Sequence, residues 1–472
     1  MTTRPNILWL CTDQQRWDTI AALGNTSVRT PHVDSLVNDG VAFTNAFCQS
    51  TVCSPSRASF LTGRYPRTTG CRQNGQTLPE RETLISRIFA DAGYVCGLSG
   101  KLHLASCSDG KVEVRGDDGY SEFQWSHHPP PDWEENAYSQ WLKAKGTSWE
   151  EIYNGPTTGY VKDGVPAALH QTTWCTEVAV DFIKRHRDEP WFFSWNPFDP
   201  HHPFDPPPEY LARYHPDDMP LPSYQPGELD DKTPYQQLDH EWAHNSPGEF
   251  HVGGMTDDDR RAVTAAYYAM IELVDDQVGR MLAALAETDQ ARDTLVIFMS
   301  DHGEMLGDHG LYFKGPHFYE GAIRIPLVMR YPDQFSKGEV VDDLTELLDL
   351  APTLCDAAGI DIPAGMQGYS LVPQLTGQSE KGTIRDSVFC EYYNSWTHPR
   401  SYGSMLRTDR YKICVYHGIE EGELYDLETD PHEFTNLWNS ADHADLKQQM
   451  LKDAFDASVF TMDPLPPRLG PF

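Results

Sequence analysis

Short apolar runs alternate with amphipathic stretches along most of the chain, the pattern of a mainly parallel sheet covered by helices on both faces. The clearest runs, at 7–10, 94–98, 191–195, 295–299 and 326–329, are predicted strands. Between the third and fourth, Val263, Tyr267, Met270, Val274, Val278, Met281 and Leu285 recur every three to four residues behind a Thr256/Asp259 capping pattern. This predicts a long helix and, with its flanks, a strand–helix–strand unit. Two segments break the rhythm: 105–164, with His127-His128 before a Pro triplet, and 204–253, with Pro206-Pro207-Pro208. They read as structureless insertions of the kind that form lids, pocket walls or subunit contacts. Near 377–381 the composition turns polar, and predicted strands at 387–392 and 411–416 follow, with Glu423-Leu424-Tyr425-Asp426-Leu427 after them. The fold class expected is therefore α/β: a large unit over 1–377 carrying both insertions, then a smaller α+β domain with an antiparallel sheet over 378–472.

Composition narrows the function. Of 472 residues, 39% are hydrophobic, with 12 Trp, 22 Tyr and 20 Phe, enough apolar surface for a large core. The formal charge of −33 repels nucleic acid and acidic membranes, and no Lys/Arg run offers a local exception. The apolar run at 7–10 is too short for a secretion signal or a membrane span, so the expected location is the cytoplasm. The ten cysteines contain no CxxC pair, which fits reduced, mostly buried thiols.

The candidate chemistry centres on Cys53-Ser54-Pro55-Ser56-Arg57, continued by Leu61-Thr62-Gly63-Arg64. Read alone, it is a buried Cys before a Pro-Ser turn that starts a helix. Two pairs of candidate metal ligands follow predicted strands, Asp13-Gln14 and Asp301-His302, and open α/β sheets gather ligands at the carboxyl ends of their strands. An Asp after a strand is more often a turn or cap residue. What decides between these readings is that the stretch matches the C-x-P-S-R plus L-T-G signature and resembles the type I sulfatases of the alkaline phosphatase superfamily.

The resemblance implies that Cys53 is oxidised to formylglycine by a formylglycine-generating enzyme. One oxygen of its hydrate attacks sulfur, and the other expels sulfate from the covalent intermediate. It implies that Asp13, Gln14, residue 53, Asp301 and His302 hold one divalent metal ion, and that Arg57 steadies the diol. In Gly100-Lys101-Leu102-His103, Lys101 would touch diol and sulfate, and His103 would support the diol. In Pro200-His201-His202-Pro203, His201 would be the leaving-group acid and His202 a bystander. Lys314 would complete the positive clamp; apart from the resemblance, Asn74 and the aromatic-rich loops are candidate contacts for the remainder of the substrate. The commoner family pattern is Asp-Asp and Asp-Asn at the metal pairs. Gln14 and His302 lower the anionic charge and add a softer imidazole, leaving Ca2+ as the default and Mn2+ as competitor. Similar pairs occur in phosphonate monoester hydrolases.

The leading expectation is hydrolysis of a small aryl or alkyl sulfate by S–O cleavage, with phosphonate monoesters or phosphodiesters as the rival substrates. A reading from another class is an unmatured, non-catalytic ligand-binding or scaffold protein. His127 and His128 suggest a second metal site, against the more common exposed placement of such a pair. A homo-oligomer stays open.

Overall fold

In a computed structural model of the chain, residues 4–107, 112–129, 133–242, 250–379, 382, 384–396, 399–466 and 470 are described. Eight strands form the large sheet: β1 (Asn6–Thr12), β2 (Val41–Phe43), β3 (Val95–Gly100), β4 (Glu122–Trp125), β5 (Trp191–Asn196), β6 (Thr294–Ser300), β7 (Leu327–Arg330) and β8 (Glu339–Val341). Their order across the sheet is β8-β2-β7-β6-β1-β5-β3-β4. All neighbours run parallel except at β7, which is antiparallel to both β2 and β6. The sheet is thus mainly parallel, as its continuous apolar runs predict.

Every residue of β1 is buried, because both faces of this central strand are covered. Ile7, Trp9 and Cys11 face one core, which takes in Ala58, Phe60 and Leu61 of helix α2 (Cys53–Thr62) and Leu350 and Leu354 of a short helix, Leu350–Ala357. Leu8 and Leu10 face the other core, shared with α1 (Pro31–Asp39), α3 (Gln171–Arg185) and α4 (Asp257–Glu287). Helix α4 begins with the anticipated reciprocal cap: Thr256 accepts from the Asp259 N–H and Asp259 from the Thr256 N–H.

Four antiparallel strands, β9 (Ser387–Tyr393), β10 (Tyr402–Thr408), β11 (Tyr411–Tyr416) and β12 (Gly422–Asp426), make the second sheet in that order. Helix α5 (Ala444–Phe460), which the sequence reading missed, packs on it through Met450 and Ala454. The insertions are also less irregular than predicted. The first supplies edge strand β4 and a short helix, Ala137–Ala144, whose Tyr138 and Leu142 enter the core. The second contains the helices Pro208–Leu211 and Pro234–Trp242. Among the described residues no helix is long and apolar enough to cross a membrane, and all ten cysteines are buried and unpaired.

Candidate active site

Strands β6, β1, β5 and β3 lie side by side and parallel, so their carboxyl ends open on one spot. Asp301, Asp13, His201 and Lys101 each follow one of these ends. Helix α2 points its first residue, Cys53, at the same place. Pro55 stands in the first helical turn, where its missing N–H costs nothing, and Gly63, at φ 69°, closes the helix in the left-handed region. Asn74 Oδ1 accepts the Ser54 N–H at 2.9 Å, completing the cap that Val52 cannot provide. Cys53 and Arg57, four residues apart, share one face of α2.

The nucleophile position is closely surrounded. Cys53 Sγ lies 3.1 Å from His302 Nε2, 3.1 Å from Lys314 Nζ and 3.7 Å from Asp13 Oδ1. Ligand atoms of Asp13, Cys53, Asp301 and His302 all fall within 4.8 Å of one another. Arg57 Nε donates to Asp301 Oδ2 at 2.9 Å, and Lys101 Nζ to Asp13 Oδ2 at 2.5 Å. Lys314 Nζ also donates to Gln14 Oε1 and contacts His201 Nε2, both at 2.8 Å. His302 Nδ1–H donates to the Gly303 carbonyl, which turns Nε2 toward Cys53. Gly303 itself is required by close packing, since a Cβ there would lie 2.0 Å from the Gly321 carbonyl oxygen.

Burial and charge act strongly here. Burial pushes the Asp13 carboxyl up, but Lys101 and Arg57 outweigh it and hold the group far below the usual carboxylate range. Burial and the neighbouring Asp13 raise Asp301. Burial and Asp13 also oppose ionisation of the Cys53 thiol, yet Lys101, Lys314 and His302 bring it down to about 5. His302 is pulled down by burial and lifted further by Asp301 and Cys53, to about 9. Burial, with Lys314 and Lys101 respectively, keeps His201 and His103 well below the ordinary imidazole value. Two carboxylates, an imidazole and the Gln14 amide suit a hard to borderline divalent cation.

Three residues of the site hold left-handed backbone without being glycine: Gln14 (φ 66°), His103 (φ 61°) and Phe313 (φ 65°). Such conformations cost roughly 1–3 kcal/mol each. In every case a buried carboxylate accepts the strained N–H: Asp301 for Gln14, Glu113 for His103 and Glu304 for Phe313. Glu113 also takes the Leu104 N–H and Trp125 Nε1, and Glu304 also takes Gln14 Nε2 and the Leu306 N–H. Burial raises both carboxyls. Neither role was read from the sequence. Glu304 adjoins the Asp301-His302 motif and could have been flagged, whereas Glu113 lies in an insertion with no local signal.

His127 and His128 are half-buried rather than exposed. The His127 ring packs edge-on to His103 with centroids 4.4 Å apart, and His103, Cys107 and His127 bring ligand atoms together. His202 lies between the rings of His201 and Phe313, at 4.1 and 3.9 Å, and Gln14 Nε2 reaches its Nδ1 at 3.3 Å. His202 also lines a cavity of about 280 Å³ to which both insertions contribute walls. A larger cavity of about 830 Å³, behind Arg16 and lined by Asp308, Arg324 and Arg407, includes none of the residues around Cys53.

The sulfatase family profile matches residues 5–360, and the profile of the N-sulphoglucosamine sulphohydrolase C-terminal region matches 307–458. An arylsulfatase of Clostridium perfringens is 31% identical over 93% of this chain and 91% of its own length. The multifunctional alkaline phosphatase superfamily protein PehA of Trinickia caryophylli is 29% identical, covering 96% and 95%. Among solved structures, the phosphonate monoester hydrolase of Agrobacterium radiobacter superposes with a TM-score of 0.87 at 29% identity, covering 98% of this chain and 97% of that one.

Proposed function

The chain belongs to the sulfatase family, and on that premise we propose that it hydrolyses sulfate monoesters through a formylglycine formed from Cys53, with one divalent cation. The observation that carries this reading is the crowding of Asp13, His302 and Lys314 around Cys53 Sγ, within 3.1 to 3.7 Å. The thiol stands where the hydrated aldehyde would project its oxygens. That hydrate supplies one hydroxyl to attack sulfur and a second to release sulfate afterwards. Asp13, Gln14, Asp301 and His302 would hold the cation, Ca2+ or Mn2+, which supplies Lewis acidity.

The remaining residues hold charge and protons. Lys101 and Lys314 are preorganised to neutralise the non-bridging oxygens, because Asp13 and Gln14 already fix their ammonium groups. Arg57, anchored on Asp301, brings a third positive charge under the nucleophile. His201 donates through Nδ1 to the His202 carbonyl and meets Lys314 at Nε2. The proton for the departing oxygen therefore comes from the Lys314–His201 pair. Asn74, spent on Ser54, would reach substrate only through its amide nitrogen. Residues 1–377 would form the catalytic unit and 378–472 the smaller domain, with maturation by a formylglycine-generating enzyme. The buried, unpaired thiols favour a reducing compartment such as the cytoplasm.

A second reading, phosphonate monoester or phosphodiester hydrolysis, is favoured by Gln14 and His302 and by the likeness to a phosphonate monoester hydrolase. Both ester types are tetrahedral and singly charged, the properties this clamp recognises. The test is the ratio of kcat/KM for an aryl sulfate and an aryl phosphonate, measured on matured, metal-reconstituted protein. The sulfate should be preferred, and chelation should abolish turnover until the cation is restored. A large phosphonate preference reverses the order of the two readings. An unmodified Cys53, found by peptide mass spectrometry of protein from its native host, removes both.

A further inference from the structure

We infer that the cavity beside His202 seats the leaving group, and that the group it fits is a single planar, uncharged aromatic ring system. This deepens the ester-hydrolase reading above and rests on it. The cavity, about 280 Å³, is walled by Tyr153, Tyr160, Phe204, Phe250, Phe313 and His202. Its rings are mutually braced: Phe250 lies 4.8 Å from both Tyr160 and Phe313 between centroids, and Phe204 stacks near-parallel on Phe313 at 6.0 Å. Such walls offer ring faces and edges to a flat guest.

Position connects the cavity to the chemistry. Phe313 immediately precedes Lys314, whose Nζ is 3.1 Å from Cys53 Sγ. His202 stacks on His201, which shares the Lys314 contact. An ester whose anionic end lies on Lys314 and His201 therefore has its other end directed past His202 into the aromatic walls.

The lining also excludes other guests. A volume of 280 Å³ takes one ring system, at the low end of small-molecule sites, and not an oligosaccharide chain. The Tyr160 hydroxyl already donates to the His251 carbonyl, so the largest polar group on the ring walls offers no proton to the hydroxyls of a sugar. Among the described residues no carboxylate lines the cavity, while Lys162 does, with Nζ 3.5 Å from the Tyr153 ring centroid. That ammonium opposes a quaternary-ammonium ester, which bare aromatic walls would otherwise welcome.

Two substitutions change the cavity in opposite directions. Tyr160→Ala opens its half-buried wall, and Thr157→Trp, at an exposed lining position, fills it. On matured, metal-loaded protein each should lower kcat/KM for 2-naphthyl sulfate about 10-fold or more, and leave that for ethyl sulfate within about twofold. Calorimetry with 2-naphthol needs no turnover: the unsubstituted protein should bind it, and Thr157→Trp should weaken that binding about 10-fold. Equal losses on both esters would overturn the proposal, as would preferential turnover of choline sulfate. Hydrolysis without naphthol binding indicts the cavity, whereas naphthol binding without hydrolysis of any ester indicts the reaction instead.

Discussion

Asp13, Lys101, His201 and Asp301 stand at the ends of four adjacent strands of one sheet, whereas the aromatic wall beside His202 is assembled from residues scattered between 153 and 313. The floor inherits its geometry from backbone pairing: β1 pairs in parallel register with β5 on one side and β6 on the other. The wall depends on ring packing between two insertions. On the proposed function, the difference teaches that reaction type and substrate choice are held by separate parts of the molecule, so that one can change while the other stays.

If that division is right, substitutions should sort by region. Cys53→Ala should abolish turnover, a loss of at least about 10⁴-fold, with an unchanged circular dichroism spectrum; residual activity near the original would discredit the floor. Lys314→Ala should reduce kcat/KM by about 10²–10³-fold, on sulfate and phosphonate alike, since it acts on the charge common to both. Glu304→Gln places an amide NH2 against donors that need an acceptor. Cation affinity, followed by calorimetry, should weaken by about 10- to 100-fold. Glu113→Gln tests the border directly, because this insertion residue supports His103 of the floor. We expect about a 10-fold loss in kcat with little change in the naphthyl-to-ethyl preference.

The smallest effect on activity is expected at Asp275, which lies on α4 against the start of α1. Its carboxylate accepts the His32 and Val33 N–H groups, and burial, Asp276 and Asp34 push it up from the usual carboxylate value to about 7. The folded protein then keeps a proton that the unfolded chain has released between about pH 4 and 7. Stability should accordingly fall as pH rises through that window, by on the order of 2–4 kcal/mol, and level off above it. Denaturant titrations across this range should show a flatter slope in Asp275→Asn.

The floor was legible because central parallel strands read as unbroken apolar runs and the reactive residues follow them directly. Some strands escaped notice because they have too few residues to show a pattern, such as Val41–Phe43 and Glu339–Val341, each only three long, whereas the seven-residue Tyr402–Thr408 mixes buried Gly, Ser and Arg with its apolar residues. Buried acids escaped for another reason. In sequence Glu113 looks like a surface charge, and only the tertiary structure shows it holding the strained backbone of His103. The wall was foreseen as a region but not as a surface, since its rings carry no common period and meet only after two insertions fold against α4.

The enclosure of Cys53 has a consequence for the order of events in the life of the chain. Its side chain is 1% exposed, at the first turn of a helix whose every residue is buried. On the proposed function, an oxidising enzyme would not reach that sulfur in the finished protein, so conversion would have to occur while the 53–64 segment is still extended, during or just after synthesis. Native thiol-form protein should stay unconverted when mixed with the enzyme, while a peptide spanning 53–64 should be a substrate. Folding before oxidation would thus lock a molecule into permanent inactivity.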